Sequence, residues 1–69
     1  PSQAEKSFKQ ALDVDPNNAS ANYGYGYIML QQSNTEKART YLCKALSSDS
    51  VDIQREVRGI LAGKDLACR

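Results

Sequence analysis

Histidine and tryptophan are absent from this chain, and phenylalanine and methionine occur once each. Without histidine the commonest general acid–base group is missing, and with it the base of any Ser-His or Cys-His nucleophile pair. Cysteine is scarce too: Cys43 and Cys68 are the only two. With two thiols as the only soft ligands and no imidazole, no zinc site within one chain is expected, and no cofactor. Nor is there an excess of one charge. Nine Lys and Arg face eight Asp and Glu, for a net charge of +1. The basic residues Lys6, Lys9, Lys37, Arg39, Lys44, Arg55, Arg58, Lys64 and Arg69 are dispersed. That distribution lacks the basic stripe that dominates nucleic-acid affinity, and it offers no footprint for anionic lipid. No apolar run approaches the ~18 residues of a membrane span, so no membrane insertion is expected. Taken together, these absences point away from an enzyme.

What is present fits one small domain of 69 residues. A core of that size supplies only about 3–5 kcal/mol unless its packing is very regular or something staples it. The first residue is Pro1 rather than Met. A piece of a longer protein is therefore expected, and the lack of a leader says nothing.

Three segments read as helices. In "SQAEKSFKQALDVDP", Ser2 and Glu5 form a capping box, and Ala4, Phe8, Ala11 and Leu12 make one stripe of a 3.6-residue period. Pro16 ends it, because the residue before a proline is pushed out of the helical region. Asn17 or Asn18 then caps the next element. Asn18-Ala19-Ser20 also matches a glycosylation acceptor, but a capping turn is the preferred reading. In "SNTEKARTYLCKALSSDS", Ser33 and Glu36 suggest a second capping box, with Ala38, Tyr41, Leu42, Ala45 and Leu46 as the apolar stripe. The Ser47–Ser50 cluster ends that helix and restarts the chain. In "VDIQREVRGILAGKDLACR", Ile53, Val57, Ile60 and Leu61 share a face, Gly63 is the expected stop and the remainder is a tail.

Between the first two lies "NYGYGYIML", Asn22 to Leu30, where tyrosines alternate with glycines. As a strand it would stand alone among helices with nothing to pair with. As a phosphate loop it lacks the Gly-Lys-Ser/Thr ending, and a dinucleotide fingerprint would need glycine where Met29 stands. A helix remains, although each glycine costs it about 1 kcal/mol relative to alanine. Such a cost requires a packing reason.

Self-similarity supplies one. A shift of 34 residues lays Ala4 on Ala38, Phe8 on Leu42, Ala11 on Ala45 and Leu12 on Leu46, so that "AEKSFKQAL" covers "ARTYLCKAL". On these residues the chain resembles the tetratricopeptide repeat family, whose unit is a pair of antiparallel helices. The resemblance implies an all-α fold of about four helices in a right-handed solenoid. Residues 1–16 would be the second helix of a partial repeat, with Ala4, Phe8, Ala11 and Pro16 at its signature places. Residues 17–50 would be a complete repeat, marked by Gly26, Ala38, Leu42 and Ala45. Residues 51–69 would be a capping helix and tail. Gly26 would then sit where two helices approach closely. Ser33, Leu42 and Ser50 depart from the family's usual glycine, aromatic and proline without breaking the register.

The same resemblance implies a function. Partner peptides bind the concave face in this family, here Ser20, Tyr23, Gly24, Tyr27 and Leu30, with Gln54, Val57, Arg58 and Leu61 of the last helix. Tyr23 and Tyr27 share a face one turn apart, while Tyr25 is expected in the core. Gly24 would leave a gap for a ligand backbone, and Arg58 would hold a carboxylate or carbonyl. The site expected to bind a partner is thus Tyr23, Gly24, Tyr27, Leu30, Gln54 and Arg58. The lysine and asparagine with which one subgroup clamps chaperone C-termini are missing, as only Arg58 matches a clamp position. A non-catalytic adaptor or scaffold for a protein or peptide partner follows. The alternatives are a structural or oligomerisation segment, associating through the first helix, and a non-catalytic domain of a larger enzyme. Cys43 and Cys68 form a disulfide if the chain is exported, as in a bacterial periplasm or envelope, and stay reduced in a cytoplasmic one.

Overall fold

The computed structural model describes residues 2–68, with Ser2 as backbone only. Four α-helices follow one another: α1 (Ser2–Val14), α2 (Ala19–Gln31), α3 (Thr35–Ala45) and α4 (Val51–Gly63). The capping box expected of Ser2 falls on a side chain outside the described residues.

The turn from α1 to α2 is built by asparagine and aspartate side chains. Asp15 accepts from the Asn17 amide at 3.1 Å, and Asn18 Oδ1 accepts from the Ala21 amide at 3.0 Å as the N-cap of α2. Asn22 is 1% exposed and sends its amide nitrogen to the carbonyls of Pro16 and Asn18, both at 3.0 Å. A buried side chain thus satisfies turn carbonyls that a neighbouring strand or helix would otherwise have to meet. At the far end of this pair, Gln32 Nε2 donates to Glu5 Oε1 at 2.7 Å.

The α2 helix is the centre of the fold, in contact with α1, α3 and α4. Its apolar residues point several ways, as a helix buried on more than one side requires. Tyr25, Ile28 and Met29 meet Ala38 of α3, with Ala4, Phe8 and Leu12 of α1 packed alongside. Tyr25 meets Tyr41 edge to face, with ring centroids 4.8 Å apart. A second cluster joins Leu42 and Ala45 of α3 to Val57 and Leu61 of α4.

Both glycines of α2 are packing glycines. A Cβ on Gly26 would lie 2.7 Å from Leu42 Cγ and 3.2 Å from the Leu42 backbone nitrogen. One on Gly24 would lie 2.3 Å from the end of the Phe8 ring. Phe8 therefore fills the gap that the sequence reading assigned to a ligand.

Two helix ends differ from expectation. Ser33 is not an N-cap: it has φ 62°, the left-handed conformation, and α3 begins after Asn34. The Ser33 amide donates to Leu30 and the Asn34 amide to Met29, at 3.0 and 2.8 Å, which is the Schellman closure of α2. Glu36 is free of any capping box and pairs with Arg39 at 2.7 Å. Likewise Gly63 is inside α4 rather than beyond it. The left-handed residue there is Asp65, φ 54°, with Asp65 and Leu66 amides donating to Ala62 and Leu61. Leu66 packs on the Leu61 cluster, the apolar contact that accompanies this motif. At its other end α4 is capped by Ser50, whose hydroxyl accepts from the Ile53 amide.

Three substitutions test this packing in opposite directions. Gly26→Ala is expected to destabilise by about 1–2 kcal/mol, overpacking against Leu42 outweighing the helix propensity gained. Gly59→Ala, where a Cβ meets nothing within 4 Å, is expected to stabilise by about 0.5–1 kcal/mol. Ser33→Gly should stabilise by about 0.5–1 kcal/mol, the left-handed cost of a Cβ less the larger unfolded-state entropy of glycine. Urea midpoints of the variants decide all three.

Candidate partner-binding cleft

Because α2 and α4 both pack on α3, they run side by side and leave a cleft of about 300 Å³ between them. Tyr27, Leu30 and Gln31 line it from α2; Gly59, Ile60, Gly63 and Lys64 line it from α4. Tyr27 is 47% exposed, a large apolar ring held at the rim. Leu30 and Ile60 are half-buried and form an apolar floor. Gly59 and Gly63 are one turn apart, and a Cβ on either would project into open space. The α4 wall is thus bare backbone at two successive turns. Lys64, the C-cap of α4, supplies the charge, and among the described residues no acidic side chain lines the cleft.

The residues expected from sequence separate into two groups. Tyr27 and Leu30 line the cleft. Tyr23 is half-buried and packs on the Leu42–Val57–Leu61 cluster. Gly24 is covered by Phe8. Gln54 is occupied, its amide nitrogen donating to the Ser48 carbonyl at the start of α4. Arg58 is exposed but is not part of the lining. Val57 and Leu61, expected on the concave face, are core at 0% and 6% exposure. Ser20 is exposed in the first turn of α2, away from the cleft. The first helix, the other surface considered, half-buries Ala4, Phe8, Ala11 and Leu12 and exposes Lys6, Ser7, Lys9, Gln10 and Asp13.

Gln31, Gly59, Ile60, Gly63 and Lys64 were missed, and a signal for them existed. Superposing the N-caps Asn18 and Ser50 requires a shift of 32 residues (50 − 18), not 34. At that shift Tyr27 falls on Gly59 and Gln31 on Gly63. Two glycines at helical spacing, each costing about 1 kcal/mol, were the other clue.

Cys43 of α3 and Cys68 of the tail are joined by a disulfide, with Cα atoms 5.7 Å apart. The tail from Lys64 therefore starts at the cleft and ends on α3. Among the described residues no group of His, Cys, Asp or Glu is placed to hold a metal, and no helix is long and apolar enough to cross a membrane.

Burial pushes the Tyr23 phenol above the usual 10.0, with the Glu56 carboxylate and Tyr27 adding to the effect. The fold thus favours the neutral phenol. Its contribution to stability is complete below pH 10 and is lost as pH rises through the elevated folded value. An alkaline absorbance titration should show a late-ionising step that disappears in Tyr23→Phe. Glu56→Gln should bring that step down only part of the way, since burial is the larger cause.

The repeat architecture has a counterpart among known families. The family model described as tetratricopeptide repeat matches residues 1–62. No curated protein and no solved structure matches the chain. With paired antiparallel helices, a packing glycine at Gly26 and a family match over most of its length, the chain belongs to the tetratricopeptide repeat family, whose helical repeats are typically non-catalytic and generally mediate protein–protein interaction.

Proposed function

We propose that this chain is a non-catalytic adaptor that holds a partner segment in the cleft between α2 and α4. The observation that carries the reading is the half-exposed Tyr27 facing a helix that lacks side chains at Gly59 and Gly63. An aromatic ring beside an apolar floor is a strong anchor for an apolar side chain. Bare helix backbone opposite gives that side chain room, and a volume of about 300 Å³ suits one or two large side chains. Lys64 favours a carboxylate or carbonyl at the same end.

We further propose the division already expected: residues 1–16 as the second helix of a partial repeat, 17–50 as a complete repeat, and 51–69 as a capping helix with its tail. Arg58 supports the cap. At the 32-residue shift it stands where Gly26 stands in α2, the point at which Leu42 of the repeat's second helix comes closest. An arginine there leaves no room for a second helix at that distance. The Cys43–Cys68 bond supports an exported, oxidising setting.

Panning a random peptide library against the chain tests the site. Enriched peptides should share a large apolar residue. Tyr27→Ala and Gly59→Leu should each weaken them about tenfold or more, the effect of losing a hot spot of about 1.4 kcal/mol, while Ser20→Ala should not. Peptides that bind Gly59→Leu as well as the parent would move the site elsewhere. No enrichment, with mass rising with concentration in sedimentation, would favour the structural segment.

A further inference from the structure

The tail of α4 links three features that have no necessary connection. Its root, Gly63 and Lys64, lines one end of the cleft. Its middle, Leu66, packs on the cluster of Leu42, Ala45, Val57 and Leu61 and donates its amide to the Leu61 carbonyl at 2.8 Å. Its far end, Cys68, is bonded to Cys43 on α3. Between root and bond there is no further helix, only a left-handed turn at Asp65, which L side chains adopt at a cost. The path of the tail therefore depends on one apolar contact, one Schellman closure and one covalent bond. Cys68 is the more exposed of the two cysteines, Cys43 being half-buried.

We propose that the Cys43–Cys68 disulfide is a redox latch on the partner cleft: closed, it holds the Lys64–Cys68 tail across α3 and fixes the Gly63–Lys64 wall; reduced by a dithiol, it releases that wall. This rests on the reading of the cleft as the partner site. The chemistry is ordinary exchange. A thiolate of the dithiol attacks Cys68 Sγ, and the bond to Cys43 breaks. The Cys43 thiolate departs and takes a proton. The second thiol of the reductant then attacks the mixed disulfide, releasing Cys68 as a thiol and leaving the reductant as a disulfide. Two electrons and two protons pass to the protein. Leu66 is then held only by its packing and by its amide's bond to Leu61, and the amides of Lys64, Asp65 and Leu66 lose the covalent constraint that keeps them on α4. The rest of the structure has its own supports, the Gly24–Phe8 contact and the cluster of Tyr25, Ile28, Met29 and Ala38 with α1, neither of which involves the tail.

Amide hydrogen exchange by NMR, on the oxidised and dithiothreitol-reduced chain, reads this without any partner. Reduction should lower protection about tenfold or more at Lys64, Asp65 and Leu66, with Tyr25 and Met29 changing far less. Cys68→Ser without reductant should reproduce the pattern. Unchanged protection at those three amides overturns the latch. So does a uniform loss across α1–α3, which makes the bond a staple of the whole fold, and so does a pattern seen with reductant but not in Cys68→Ser. Library peptides that bind the oxidised chain should bind the reduced one about tenfold more weakly; equal binding in both states overturns the control of the cleft. If the oxidised chain binds no peptide, the adaptor reading fails and exchange alone decides the tail.

Discussion

The approach of α2 to α3 at Gly26 organises this molecule. Leu42 is fully buried against a glycine, so the two helices can lie closer than any side chain at position 26 would permit. Closeness has consequences on both sides. It places Tyr25 edge to face with Tyr41 and seals one cluster with α1. It also turns the other side of Leu42 toward Val57 and Leu61, so that α4 has a surface on which to dock. A helix so rich in glycine and tyrosine would be poor in isolation. Tertiary packing on three neighbours is what makes it helical.

The three tyrosines of α2 show how one short segment is divided among roles. They are spaced two apart, and a helix turns about 200° over two residues. Tyr25 therefore enters the core, whereas Tyr23 and Tyr27, four apart, share the opposite side. The docking of α4 then separates that pair. Tyr23 lies over the cluster at the base of α4, where burial disfavours its ionised form. Tyr27 lies one turn further along, opposite Gly59, where about half of it is left exposed. The cleft is the space left where α4 stops presenting side chains.

A chain this short has few apolar contacts to spare, and its ends are held by local devices rather than by a large core. Asn22 fixes the first turn through two carbonyls. Left-handed Ser33 and Asp65 close α2 and α4 in the same way. The disulfide joins Cys68 of the tail to Cys43 of α3 and so closes the chain around α4.

Much of this was written in the local sequence. Four helices, a cap at Asn17 or Asn18, and the repeat that pairs Phe8 with Leu42 follow from periodicity and capping chemistry, which act over a few residues. The packing role of Gly26 followed from the repeat. Ser33 misled because a serine three residues before a glutamate fits a capping box, while the Schellman closure is decided by the path of the chain into the next helix. Gly24 misled for a similar reason: its neighbour is Phe8, sixteen residues earlier (24 − 8). The cleft was the least legible feature. Which residues line it depends on how α4 is rotated about its own axis, and that rotation is set by Val57 and Leu61 seating on Leu42. Sequence by itself determined the helices and the family pattern, because hydrogen bonds within a helix and the 3.6-residue period are local. Tertiary structure alone decided that Tyr27 is free and Tyr23 is not, because exposure is a property of neighbours brought from elsewhere in the chain.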